Sequence, residues 1–222
     1  MCGRFTLHFP VELLAEIFGL PNLPGLVPRY NIAPTQMAVV VRSTGSARKL
    51  DLLRWGLVPS WAKDISIGSR MINARSETLP DKPAFRNAVR SRRCIVPASG
   101  FYEWKPEGSR KIPYYIRLSD GAPMGLAGIW EAWKTPDGSF LETFAILTTS
   151  ANPLIASIHD RMPVILNPDT YSLWLDKDMK NPEQLQSLYL PFPADLLTLY
   201  PVSTLVNSPR NDDPACIEPA TA

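Results

Sequence analysis

The chain has 222 residues, long enough to bury one sizeable core without a second domain. Its 45% hydrophobic and 20% charged residues match an ordinary globular domain and exclude a disordered chain, and no apolar run reaches the roughly 18 residues of a membrane helix. A net charge of +2 leaves the partner open.

Met1-Cys2-Gly3-Arg4-Phe5 has neither a charged leader nor an apolar stretch, so a cytoplasmic protein is expected. Pro10 to Phe18 predicts a first helix, with Pro10 in the first turn, Leu13, Leu14 and Ile17 at helical spacing, and Gly19 as the stop. Strands are expected over Met37 to Arg42, Leu50 to Trp55, Cys94 to Pro97, Ile112 to Leu118, Met124 to Trp130 and Phe144 to Thr149. Further helices are expected over Lys82 to Arg92, Pro168 to Leu175 and Pro182 to Leu188. The first of these would put Arg86, Arg90 and Arg93 on one basic face.

The 23 prolines, roughly twice the usual share, are spread through the chain and argue for many short elements joined by turns. The pattern predicts one α+β domain over 1–207, built on a largely antiparallel, barrel-like sheet with peripheral helices. Residues 208–222 are polar and turn-rich and are expected to form a loose tail. Cys2, Cys94 and Cys216 are odd in number and far apart, and only His8 and His159 could join them, so neither a disulfide framework nor a metal site is supported. With no phosphate-binding glycine loop or dinucleotide fingerprint either, no cofactor is expected.

Cys2 is the first chemical signal. An initiator methionine before a residue as small as cysteine is normally trimmed, which leaves an α-amine and a thiol on neighbouring carbons. The amine titrates near 7.7–8.0 and the thiol near 8.5, so both are available close to neutral pH. A 1,2-aminothiol condenses with an aldehyde, first as an imine and then as a five-membered thiazolidine. Gly3 removes bulk beside the nucleophile, and Arg4 sets a fixed positive charge next to it.

Glu103, between aromatics in Phe101-Tyr102-Glu103-Trp104, would shuttle protons if its strand faces a cleft, and would be a solvated surface glutamate if it does not. His159, in Ile158-His159-Asp160-Arg161-Met162-Pro163, could move a proton, with Arg161 beside it to hold a phosphate. Asn73-Ala74-Arg75 offers an amide that can orient a polar group, and another arginine. Trp55, Trp61 and Trp104 interleave with these positions as faces on which single-strand bases would stack, although most such aromatics fill a core.

Taken together, Met1 to Phe5, Arg29-Tyr30-Asn31-Ile32-Ala33-Pro34, Trp55-Gly56 through Trp61, Asn73-Ala74-Arg75, Arg93-Cys94 through Lys105 and His159 through Pro163 resemble the SOS response-associated peptidase family. The resemblance runs from Cys2 to about Asn207. It implies a protein that senses abasic sites in single-stranded DNA and shields them by a covalent thiazolidine crosslink through Cys2, as part of the DNA damage response. It further implies that Asn73, Glu103 and His159 serve the reacting centre, with Glu103 also assisting crosslink reversal. Arg4, Arg75 and Arg161 would bind phosphates, and Trp104 would stack at a single-strand/duplex junction. Trp55, Trp61 and Arg86 are added as DNA contacts, and a monomer that joins the nucleoid when bound to DNA is expected. The family's name implies a secondary thiol autopeptidase activity. One departure is Ile65 to Arg70, small and polar where some relatives carry an apolar wedge.

Two other readings stay open. Amino-terminal nucleophile amidohydrolases also begin Met-Cys-Gly, but they follow with a small apolar residue and later carry an Asn-Gly turn, which this chain lacks. A non-covalent single-strand binding module would leave Cys2 incidental and would release DNA in high salt.

Overall fold

The computed structural model describes residues 2–21, 25–45 and 47–220. In chain order the strands are β1 (Phe5–Leu7), β2 (Arg29–Ile32), β3 (Met37–Ser43), β4 (Arg48–Trp55), β5 (Asn73–Arg75), β6 (Arg93–Ala98), β7 (Gly100–Glu107), β8 (Arg110–Leu118), β9 (Met124–Lys134), β10 (Phe140–Ser150), β11 (Arg161–Pro163), β12 (Ile165–Leu166) and β13 (Leu197–Pro201). The α-helices are α1 (Val11–Phe18), α2 (Ala88–Ser91), α3 (Pro153–Ala156) and α4 (Tyr171–Leu175), and 3-10 turns fill much of the remainder. No helix among the described residues is long and apolar enough to cross a membrane.

Five strands close a barrel in the order β10-β4-β3-β6-β9 and back to β10. All its ladders are antiparallel except β10 with β4, which runs parallel at Thr143↔Arg54 and Phe144↔Trp55. A second, five-stranded antiparallel sheet has the order β13-β8-β7-β1-β2. This is the expected α+β, barrel-like architecture, and its core explains the sequence pattern. Strand β6 is buried along its whole length, because its outer face carries α2 and α4; an alternating strand would have left one face wet. Helix α4 approaches β9 at Gly125, where an added Cβ would come 2.5 Å from the Tyr171 hydroxyl, so only glycine leaves room.

Helix α1 begins after Pro10, buries Leu14 and Phe18, and ends on Gly19 in the left-handed conformation, with its N–H turned back to the carbonyls of Ala15 and Glu16. The helix expected over Lys82 to Arg92 shrinks to α2, and the residues before it form hydrogen-bonded turns. Its basic face is not a face at all. Arg93 belongs to β6 and is buried, donating to the carbonyls of Val89, Arg90, Trp174 and Asp176, so it satisfies helix ends. Arg92 pairs with Glu131 at 2.7 Å, and only Arg86 and Arg90 stay exposed. The stretch Pro182–Tyr189 is a 3-10 helix.

The polar C-terminal segment is not loose. Asp212 accepts from the backbone N–H of Tyr30 at 2.5 Å and of Asn31 at 2.8 Å and pairs with Arg29, all on β2. Cys216 is fully buried, and Pro219 bridges to Val202. Polar composition concealed an anchor, because Asp212 works through backbone donors rather than apolar area. Truncation before Asn211 should therefore destabilise the fold by about 2–4 kcal/mol, from two orphaned amides and the lost burial. A thermal melt should show a fall in Tm of roughly 4–16 °C for a chain of this size; an unchanged Tm would mean that the segment is only laid on the surface.

Candidate functional site

Strand β1 lies between β2 and β7, and the chain entering it runs alongside β7, with the Tyr102 N–H donating to the Arg4 carbonyl at 3.0 Å. Cys2 is thereby delivered next to Glu103. The Cys2 side chain is fully buried, its Sγ 3.8 Å from the Arg4 carbonyl oxygen. Asn73, at the start of β5, is held by parallel pairing with Ile146 of β10, and its Nδ2 donates to the Cys2 carbonyl at 2.9 Å. Its Oδ1 is buried with no hydrogen-bond partner among the described residues, an acceptor pointed into the same region.

Glu103 is 2% exposed, on a strand whose residues from Gly100 to Glu103 are all buried. The solvated alternative is thus excluded. Burial pushes the Glu103 carboxyl above its ordinary range, and the nearby His159 imidazole opposes that only in part. Burial likewise pushes the Cys2 thiol well above its usual value, and the Glu103 carboxylate adds to the rise. The sulfur is therefore held as a thiol whose proton needs an acceptor.

His159 follows α3, whose first turn is capped by Asn152 accepting from the Ile155 N–H at 2.9 Å. Its Nε2 lies 4.0 Å from Glu103 Oε2. Its Nδ1 is 3.0 Å from the Arg161 backbone N and 2.9 Å from the Asp160 carboxylate, two contacts that demand opposite protonation of one nitrogen. The backbone amide is a fixed donor, while the Asp160 side chain is 83% exposed and solvated, so Nδ1 accepts and Nε2 carries the proton toward Glu103.

An open cleft of about 500 Å³ joins Glu103 and His159 to Arg4, Trp104, Lys111 and Asn207. Arg4 is half-buried, with Nη1 donating to Asn31 Oδ1 and to the Val206 carbonyl, both at 2.7 Å, and Nη2 to the Asn207 carbonyl at 3.1 Å. Trp104 donates from Nε1 to Asn207 Oδ1 at 2.8 Å. A larger hollow of about 580 Å³, lined by Gly19, Arg48, Ser172 and Asp176 among others, lies among residues that bear none of the predicted chemistry.

The remaining predicted residues separate. Arg75 is exposed at the end of β5, two positions beyond Asn73. Arg161 is mostly buried and already engaged, with Nη1 and Nη2 on the Glu77 carboxylate at 2.6 and 2.9 Å and Nη2 also on the Thr148 carbonyl at 2.7 Å. That pair holds the Glu77 carboxyl below its usual range. Trp61 is 58% exposed and Arg86 is exposed, and neither lines the cleft. Trp55 cannot stack on a base. It is fully buried, in an edge-on contact with Phe5 at 5.1 Å between ring centres, and its Nε1 donates to the Ile72 carbonyl at 2.9 Å. Facing the barrel core decides its role, because alternation along β4 sends position 55 inward with Leu53. Lys111 and Asn207 are the cleft residues that the sequence did not announce, and Asn31 holds Arg4 from the buried side. Lys111 arrives through the β7–β8 hairpin, opposite Pro106, and the two asparagines act through contacts distant in sequence.

A family model described as SOS response associated peptidase (SRAP) matches residues 1–209. The abasic site processing protein YoqW of Bacillus subtilis is 47% identical, over 98% of this chain and 99% of its own length. The abasic site processing protein HMCES of Mus musculus is 31% identical, over 99% of this chain and 76% of its own. Among solved structures, a protein from Bacteroides thetaiotaomicron superposes with a TM-score of 0.89 at 28% identity, covering 99% of this chain and all of that one. Strand order, cleft and similarity across nearly the whole chain agree, and the protein belongs to the SOS response associated peptidase family.

Proposed function

We propose that this chain processes abasic sites in single-stranded DNA by bonding to them through Cys2. One observation carries the reading: Cys2, Asn73, Glu103 and His159, from four separate segments, converge beside a cleft that also holds Arg4 and Trp104. The names of its relatives, abasic site processing proteins, supply the class of lesion.

Removal of Met1 turns the Cys2 nitrogen into an α-amine. That amine adds to the aldehyde carbon of the ring-opened deoxyribose and gives a carbinolamine. The Glu103 carboxyl, whose hold on a proton burial strengthens, then donates a proton to the departing hydroxyl, which leaves as water, and an iminium forms. The Cys2 thiol passes its proton to the Glu103 carboxylate while sulfur bonds to the iminium carbon, closing the thiazolidine. One C–N and one C–S bond form, one water is lost, and Glu103 ends as it began. Asn73 fixes the backbone of the nucleophile through the Cys2 carbonyl, and the protonated Nε2 of His159 faces the carboxylate that appears midway. By microscopic reversibility the same groups reopen the ring. Single strands suit the cleft because Trp104 offers a stacking face that needs no base sequence.

The decisive experiment is denaturing electrophoresis of protein shown by mass spectrometry to lack Met1, mixed with a single-stranded oligonucleotide bearing one abasic site. A shifted band is expected that vanishes with Cys2→Ala and with undamaged DNA. Binding that disappears on denaturation would instead favour the non-covalent module, and amide hydrolysis without a shifted band would favour the amidohydrolase.

Glu103→Gln separates chemistry from stability. Crosslinking should slow by about 10²–10⁴-fold, the usual worth of a positioned proton donor. The fold should respond in the opposite sense. Because the folded carboxyl titrates above its unfolded value, wild-type stability is fully present below about pH 4 and is lost as pH rises through the folded pKa. Melting curves should then coincide for the two proteins below about pH 4, with the Gln variant increasingly the more stable toward pH 7. A Gln variant less stable at neutral pH would show that the charged carboxylate holds the site together.

A further inference from the structure

We propose that Asn207 is a positioning residue for the cleft, aiming Trp104 and Arg4 from a strap formed by the C-terminal segment. The inference rests on the reading that this cleft receives DNA. A single residue reaches both groups: Asn207 Oδ1 accepts from Trp104 Nε1 at 2.8 Å, and its carbonyl accepts from Arg4 Nη2 at 3.1 Å. Indole has one donor, so this bond fixes the direction in which the ring presents its face. Arg4 has five N–H donors, and Val206, Asn207 and Asn31 occupy three of them. The two that these contacts leave over, on Nε and Nη2, form the edge of the guanidinium that grips two oxygens of one phosphate. The ring and the cation also sit 6.0 Å apart, so tilting either disturbs the other.

The strap is itself fixed. Asn31 is fully buried, and the two N–H groups of its Nδ2 are shared among the carbonyls of Val206, Ser208 and Asn211 at 3.1, 3.0 and 2.7 Å. Asn211 Nδ2 returns to the Leu205 carbonyl at 2.8 Å, and Asp212 locks the segment to β2. Asn207 is exposed on this rigid support, so it bears no core packing that its replacement would disturb.

The test uses the Met1-processed chain and a single-stranded oligonucleotide carrying a tetrahydrofuran abasic analogue, which has no aldehyde and reports binding alone. Anisotropy titrations would compare wild type, Asn207→Ala, Trp104→Phe, the double variant of these two and Arg4→Ala, and single-turnover crosslinking to an authentic abasic site would be run in parallel. Asn207→Ala should raise Kd roughly three- to tenfold, the worth of the one side-chain hydrogen bond it removes, since alanine keeps the backbone carbonyl that Arg4 uses. The loss should fall on Kd more than on the saturating crosslinking rate, with the melting transition near the wild-type value. The double variant should bind no more weakly than Trp104→Phe, since the bond it deletes is already gone. Wild-type Kd for Asn207→Ala, or effects that multiply in the double variant, would overturn the proposal while leaving covalent capture intact. Should Trp104→Phe and Arg4→Ala both bind like wild type, the reading of the cleft as the DNA site would fall, and the positioning role with it.

Discussion

Everything at the centre depends on the number of partners that β10 accepts. It pairs antiparallel with β9 along its first half and parallel with β4, which closes the barrel. Beyond that it takes β5 in parallel and β11 in antiparallel register. Those last two short strands carry the site. Asn73 begins β5, and His159 sits at the turn into β11, two positions before Arg161 pairs with Ser150. A strand buried on both faces from Phe144 to Thr149 leaves little freedom of register, so the two residues are placed by the ladder and need no long-range contact of their own.

The amino-terminal side of the site is positioned by a different sheet. Strand β1 is short but central, and its neighbour β7 brings Glu103 beside Cys2. The reacting groups therefore sit where two sheets meet, each fixed from its own side. That junction is dry enough to raise both the Glu103 carboxyl and the Cys2 thiol, a charge penalty that the barrel's apolar core offsets. Raising the proton affinity of a carboxyl takes this kind of burial, so the cost to stability and the capacity for proton transfer have one source.

Much of this was legible in the sequence. The strands rich in β-branched residues, the first helix and its glycine stop, and the convergence of Cys2, Asn73, Glu103 and His159 all follow from local pattern or matched motifs. What escaped was governed by partners distant in the chain. Arg93 looked like part of a basic helical face, yet strand pairing with Ile129 turned it inward to carbonyls of α4. Trp55 looked available, yet alternation along β4 sent it into the core. Arg161 looked like an open phosphate ligand, and Glu77, from a separate turn, holds it. The C-terminal segment read as loose because its anchor, Asp212, binds backbone amides that no composition displays.

The bonds from Arg4 to Val206 and Asn207 tie residues about 200 positions apart, joining the first and last parts of the cleft to be synthesised. On the ribosome, Cys2 emerges early, while the strap that seats Arg4 and Trp104 is still untranslated. A nascent chain whose methionine has been trimmed thus exposes a reactive aminothiol before its DNA-facing surface exists. Arming and aiming are separated in time, and the cleft is complete only once the strap has followed and folded back onto Arg4.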